Sequence, residues 1–168
     1  MFIAKGIQKD IRERFYRHVG VVPAGTASVE EGVEPSPPEV DWGEKLTLRL
    51  VPSSKDKCGI SLFIAERYCT VYVGRHAEFE FDPHFTKDVA GYVDDIDKLV
   101  QAAVHGTVSE IDWLWRGRVI YSVTSVRFGP DAIESGPVTR GVFRVLFRLF
   151  RGLQKRETCY EAYTADKP

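Results

Sequence analysis

Residues 45–81 read KLTLRLVPSSKDKCGISLFIAERYCTVYVGRHAEFEF, and this stretch decides the fold. Its β-branched and aromatic runs are separated by residues that favour turns, which predicts several short strands joined by tight connections. Runs that are apolar on both faces are typical of central strands, whereas alternating runs predict strands with one solvated face. Four strands are predicted here, at residues 46–51, 59–65, 69–73 and 76–82.

The residues after this stretch predict a helix and a hairpin that complete the sheet. Residues 89–104 place apolar side chains at the spacing of a core-facing helix, and Gly106 stands where a helix cap is expected. Residues 108–115 and 119–128 are rich in Trp, Tyr, Val and Ile and flank a short turn that contains Gly117. This pattern indicates a β-hairpin.

Two further helices are predicted near the ends of the chain. Apolar residues recur every four positions between Ile3 and Phe15, which predicts a helix over residues 1–20. Its apolar stripe is narrow, so we expect it to dock at the edge of the domain. From Gly141 to Lys155, arginines and apolar residues separate onto two stripes at helical spacing, which predicts a basic C-terminal helix.

The predicted order of elements is α-ββββ-α-ββ-α. This order indicates an α+β fold with one mostly antiparallel sheet of about six strands and helices packed on it. Residues 21–44 are rich in Pro, Gly, Ser and Glu and have little to bury, so we predict an acidic linker or long loop there. The α+β core domain is expected over residues 45–157, and a tail over residues 158–168.

Composition narrows the classes of protein to which this chain can belong. The net charge of −1 over 168 residues gives no bulk electrostatic argument for nucleic acid or acidic membranes. Three cysteines at unrelated spacings predict neither a disulfide framework nor a zinc knuckle, which favours the reducing cytoplasm. We expect no membrane span and no signal peptide, because the apolar runs are short and charge begins at Lys5.

One alternating run carries the residue types of a metal site. Imidazole and carboxylate side chains share one strand parity and would project from a single face of an extended strand. They are His76, Glu78, Glu80, Asp82 and His84. The same pattern is typical of an edge strand whose outer face is guarded by charge, so a metal-dependent enzyme on this strand is an alternative hypothesis.

Charge and aromatic residues elsewhere favour contact with a partner. The exposed face of the predicted helix at residues 89–104 carries Asp94, Asp95 and Asp97, which either compensate the helix dipole or meet a basic surface. The basic stripe of the C-terminal helix contains Arg144, Arg148, Arg151 and Lys155. Trp113 and Trp115 share a face with Ile111, which is expected to face the core, although an open face would make them a partner anchor.

These features favour a non-catalytic cytoplasmic protein that binds another protein. The sequence contains no P-loop, dinucleotide fingerprint, nucleophile elbow or zinc-protease motif, and we expect no cofactor. The predicted architecture is similar to that of small bacterial binding proteins such as toxin-neutralising immunity proteins and secretion chaperones, which makes a toxin or secreted effector the expected partner. Nucleic-acid binding through the C-terminal arginines is a weaker alternative, because the net charge is near zero.

Overall fold

The computed structural model describes residues 5–34, 44–65, 68–81, 89–128, 131–135 and 152–163. Its elements are α1 (Lys5–Val19), β1 (Ala27–Glu34), β2 (Lys45–Pro52), β3 (Ile60–Ile64), β4 (Cys69–Val73), β5 (Ala77–Phe81), α2 (Val89–His105), β6 (Val108–Trp115), β7 (Arg118–Phe128), β8 (Asp131–Ser135) and β9 (Gln154–Cys159). The α+β class and the antiparallel pairing of the strands are confirmed. The prediction of one sheet of about six strands is wrong, because the described residues form a five-stranded and a four-stranded sheet.

The first sheet has the order β1-β2-β3-β4-β5, so each strand pairs with its neighbour along the chain. Its buried face carries an apolar row that crosses the sheet, in which Leu62 lies between Leu48 and Val71. All three of these side chains are fully buried. The central position of β3 and β4 follows from this burial, because their apolar residues require cover that an edge strand does not receive.

The two helices cover the buried face of this sheet. Ile11, Phe15 and Val19 of α1 lie at successive four-residue intervals and are all in the core, so the narrow apolar stripe is fully buried. The polar flank of α1 is tied to α2, because Arg14 Nη1 lies 2.6 Å from Asp94 Oδ1. None of the helices in the described ranges is long and apolar enough to cross a membrane.

The second sheet has the order β8-β7-β6-β9 and contains the predicted hairpin. Arg116 and Gly117 join β6 to β7 with φ values of 51° and 77°. Two successive positive φ values produce the backbone twist of a two-residue hairpin turn, and glycine accommodates the second at little steric cost. Gly106 ends α2 with φ 70°, which confirms the predicted helix cap.

Three strands, β1, β8 and β9, were not predicted from sequence, and β8 occupies Asp131–Ser135, where a loop was expected. Ala27–Glu34 forms β1 inside the segment predicted to be a linker, residues 21–44, and pairs with β2 along its whole length. Gln154–Cys159 forms β9, where the end of the predicted basic helix was expected. All three strands lie at sheet edges and are largely exposed, so their place in the sheets is determined by pairing with a neighbour and not by burial of their own side chains.

The segment predicted to be a C-terminal tail contributes to the core. Tyr160 and Tyr163 are buried, and the hydroxyl of Tyr163 donates a hydrogen bond of 2.8 Å to the carbonyl oxygen of Cys58. The main-chain N–H of Tyr163 also donates to the carbonyl of Val104 at the end of α2. The remainder of the predicted C-terminal helix, residues 141–151, lies outside the described residues.

Replacing Phe15 with alanine tests the core packing of α1. The ring is fully buried, so Phe15→Ala should lower the free energy of unfolding by about 3–5 kcal/mol. The control Lys9→Ala removes a side chain that is 76% exposed and should change it by less than about 0.5 kcal/mol. Urea denaturation followed by circular dichroism measures both changes, and equal values would contradict a core position for α1.

Candidate functional site

The structure divides the predicted metal row between two faces of the molecule. His76 lies in the turn before β5, and its Nε2 atom is 3.6 Å from Asp112 Oδ1 of the second sheet. Glu78 lies on the exposed face of β5, where it accepts a hydrogen bond of 2.8 Å from the Tyr72 hydroxyl. Glu80 shares that face, and Asp82 and His84 lie outside the described residues. Within the described ranges, no three His, Cys, Asp or Glu side chains form a group able to hold a metal ion.

The predicted partner-binding residues have different surroundings. Asp94 and Asp97 face α1, where Arg14 Nη1 and His18 Nε2 lie 2.6 and 3.0 Å from their respective carboxylates. Asp95 forms an ion pair of 3.0 Å with Lys98. Lys155 lies on β9, 3.3 Å from a carboxylate oxygen of Glu157. Arg144, Arg148 and Arg151 lie outside the described residues, so their role stays a prediction.

A groove of about 390 Å³ lies between β5 and β8 and reaches α2, and we call it the edge groove. Its floor is apolar and consists of Phe79, Phe81, Leu99 and Ile133. Four carboxylates also line it, contributed by Glu78, Glu80, Asp95 and Glu134. The structure therefore joins two glutamates of the alternating strand to one aspartate of the acidic helix face, which sequence spacing alone did not reveal.

Both walls of the edge groove are edge strands. β5 ends the first sheet and β8 ends the second. The hydroxyl of Ser135 donates to the carbonyl oxygen of Glu78 at 3.2 Å, which shows that this carbonyl points into the groove. Main-chain groups of alternate residues in an antiparallel strand point to the same side, so those of Glu80 also face the groove. The groove thus offers main-chain hydrogen-bonding groups as well as side chains.

A second feature is a pair of carboxylates buried between the sheets. We call Glu110, Asp112, Arg75, Arg156 and Tyr160 the carboxylate–arginine cluster. Glu110 is fully buried and accepts three hydrogen bonds, from Arg75 N at 2.6 Å, Arg75 Nε at 2.7 Å and the Tyr160 hydroxyl at 2.8 Å. Burial and the bond to Glu110 raise the pKa of Tyr160 well above its ordinary value, so the phenol remains a donor.

Asp112 is the second fully buried carboxylate of the cluster. It accepts hydrogen bonds from Arg156 Nη2 at 2.6 Å and from Ser122 Oγ at 2.9 Å. Arg75 Nη2 lies 3.3 Å away and adds a second positive charge. Burial opposes ionisation of Asp112, but the bonds from Arg156 and Ser122 outweigh it and hold the pKa of this carboxyl below its usual range.

Sequence reasoning missed this cluster because it assigned the wrong face of β6 to the core. Val108, Glu110 and Asp112 are buried, whereas Trp113 and Trp115 are only half-buried on the other face. The expectation that the tryptophans face the core is therefore wrong. The alternation of Val108 with two acidic residues was the available signal, but the arginines that neutralise them are distant in sequence.

Two of the cysteines are buried thiols and not exposed nucleophiles. Burial raises the pKa of Cys58 and of Cys69 to about 12 in each case. A thiolate is the reactive form of cysteine, so both side chains remain protonated at neutral pH and pack as small apolar groups.

The contribution of Asp112 to stability should depend on pH. Asp112→Asn should lower the free energy of unfolding at pH 7 by about 2 kcal/mol. This is less than the cost of breaking a fully buried ion pair, because Arg156 is 49% exposed and water can solvate it when Asp112 is neutral. The folded-state pKa is lowered, so this stabilisation is complete above the ordinary aspartate pKa of about 3.9 and is lost as pH falls through the lower folded value.

Urea denaturation of wild type and variant at a series of pH values measures this dependence. The gap between the two proteins should narrow as the solution is acidified. Glu157→Gln is the matched control, because Glu157 is 54% exposed on the neighbouring strand β9 and should change stability by less than about 0.5 kcal/mol. A gap that is constant with pH would show that Asp112 acts through packing alone.

No known protein family, curated protein or solved structure shows significant similarity to this chain, so its site is interpreted from its own geometry.

Proposed function

We propose that this chain is a non-catalytic binding protein that holds an extended, basic segment of another protein in the edge groove. The observation that carries the proposal is the coincidence, in one groove, of an edge strand, an apolar floor and four carboxylates. Each of these features selects for a different property of the ligand, and the three properties together describe a basic peptide with alternating apolar side chains.

The strand edge supports binding of an extended main chain. A peptide that adds to an exposed edge gains affinity from main-chain hydrogen bonds and specificity from pockets for alternate side chains. Glu78 and Glu80 direct their main-chain groups into the groove, and the contact with Ser135 uses one carbonyl. A peptide strand would pair with β5 from Glu80 onward, because Ser135 of β8 already contacts the carbonyl of Glu78.

The apolar floor supports insertion of aliphatic or aromatic side chains. Phe81 is held in place by an edge-to-face contact with Tyr92, with ring centroids 5.3 Å apart. Ile133 on the opposite wall is 40% exposed and would lose that exposure to a bound peptide. Burial of apolar surface contributes about 25 cal/mol per Å², so a few such contacts supply a substantial part of the affinity.

The carboxylates support the choice of a basic partner. Glu78, Glu80, Asp95 and Glu134 line one groove, and Lys98 is the cation that pairs with Asp95. A cleft of one charge sign attracts the opposite charge and accelerates association. The same charge repels phosphates, so this groove favours a protein over nucleic acid as the ligand.

The wider setting is consistent with a binding role in the cytoplasm. The carboxylates of Glu110 and Asp112 are fully buried and paired, so they support structure and not acid–base chemistry on a substrate. Cys58, Cys69 and Cys159 are free thiols, which a reducing compartment preserves. A basic toxin or secreted effector is the partner class that we propose.

A synthetic peptide of alternating arginine and valine tests the groove. Labelled peptide should bind the full-length chain, as measured by fluorescence anisotropy, and Glu78→Gln/Glu80→Gln should weaken binding about tenfold, because each exposed ion pair contributes up to about 1 kcal/mol. The matched control Glu13→Gln/Glu30→Gln removes the same charge from α1 and β1 and should change affinity less than about twofold.

Two further peptides separate charge from main-chain recognition. Replacement of arginine with glutamate should abolish binding, because it reverses the charge that the groove attracts. N-methylation of alternate residues preserves charge but removes main-chain donors, and it should also weaken binding if the peptide adds to β5. The proposal fails if the arginine–valine peptide does not bind, or if it binds equally to both double variants.

A further inference from the structure

A second concave surface lies in front of the carboxylate–arginine cluster. It encloses about 750 Å³ between the loop at residues 53–59, the turn at Gly74 and Arg75, and strand β9, and we call it the arginine cleft. Four cations line it, contributed by Lys55, Lys57, Arg75 and Arg156. This volume is in the range of small-molecule sites.

The two arginines are fixed before any ligand arrives. Arg156 donates from Nη2 and Nε to the same oxygen of Asp112, at 2.6 and 3.2 Å. Arg75 donates from Nε to Glu110 at 2.7 Å and from Nη2 to the Thr158 hydroxyl at 3.0 Å. The carboxylates are fully buried behind the guanidinium groups, so they orient the arginines without occupying the cleft.

The guanidinium groups remain accessible despite these bonds. The side chains of Arg75 and Arg156 keep 40% and 49% of their surface exposed, and both line the cleft. A guanidinium group has five N–H donors, more than the carboxylates take up, so further donors are left for an anion. Pre-oriented donors lose little entropy on binding, which favours recognition of a planar or tetrahedral oxyanion.

The opposite wall adds charge and hydroxyl groups. Lys57 is held by a bond of 2.6 Å from Nζ to the carbonyl oxygen of Ala162 and by a longer contact with Glu161. Ser53 and Ser54 carry hydroxyls along the same wall. The four lining cations outnumber the three carboxylates that contact them, Glu110, Asp112 and Glu161.

We infer that the arginine cleft binds the phosphate group of a small ligand. A phosphate offers several oxygen acceptors to the fixed guanidinium forks and the hydroxyls, and its charge compensates the excess of cations. This inference is independent of the edge groove.

Inorganic phosphate and ribose 5-phosphate are the probes for this site. Calorimetric titration and thermal unfolding of the full-length chain should show binding of either probe and a rise in melting temperature at constant ionic strength. Tenfold tighter binding of ribose 5-phosphate would identify an organic phosphate as the ligand, and equal binding would identify the free anion. The inference is overturned if neither probe binds or if acetate binds as well as phosphate.

Matched lysine variants locate the bound phosphate. Lys55→Gln should weaken binding about fivefold, whereas Lys155→Gln removes the same charge from the outer face of β9 and should have no effect. Arg156→Lys keeps the charge but loses the planar fork, and it should weaken binding about tenfold. Equal effects of Lys55→Gln and Lys155→Gln would show that phosphate responds only to overall charge, which contradicts a defined site.

Discussion

The structure depends on the burial of Glu110 between its two sheets. Its carboxylate receives the main-chain N–H and the guanidinium of Arg75 from the turn between β4 and β5, and the hydroxyl of Tyr160 from the residue that follows β9. One side chain thereby joins the first sheet to the second. An ionised carboxylate removed from water costs several kcal/mol unless it is paired and hydrogen-bonded, so this junction is stable only when all its partners are in place.

That requirement fixes the chain around the junction. Gly74 precedes Arg75 with φ 65°, and a Cβ atom at this position would collide with the Glu110 carboxylate. The turn must therefore contain glycine for conformational and steric reasons together. Tyr160 lies in the core with Tyr163, so the residues after β9 are held between the sheets. The same constraint that joins the sheets thus orders the C-terminal part of the described chain.

The elements with their own hydrophobic pattern could be predicted from sequence, and the elements placed by pairing could not. Helix α2 and strands β2 to β5 bury apolar residues at the period of their secondary structure, and β6 and β7 are rich in β-branched and aromatic residues, so the positions of these elements follow from the sequence. Strand β1 exposes Glu30, Glu31 and Val33, and its place is determined by its partner β2. Strand β9 is polar along its length and is held by β6.

The candidate sites were hidden from sequence for a different reason. Arg75 and Glu110 are 35 residues apart, and Asp112 and Arg156 are 44 residues apart, so no local spacing connects these charges. The net charge of −1 also gives no indication that charged residues gather into an acidic groove and a basic cleft.

The separation of acidic from basic residues begins at the turn before β5. Arg75 in this turn pairs with the buried carboxylate of Glu110 in the second sheet. Glu78 and Glu80, on the strand itself, remain on the solvated edge. The turn and the strand that follows it therefore contribute opposite charges to different surfaces.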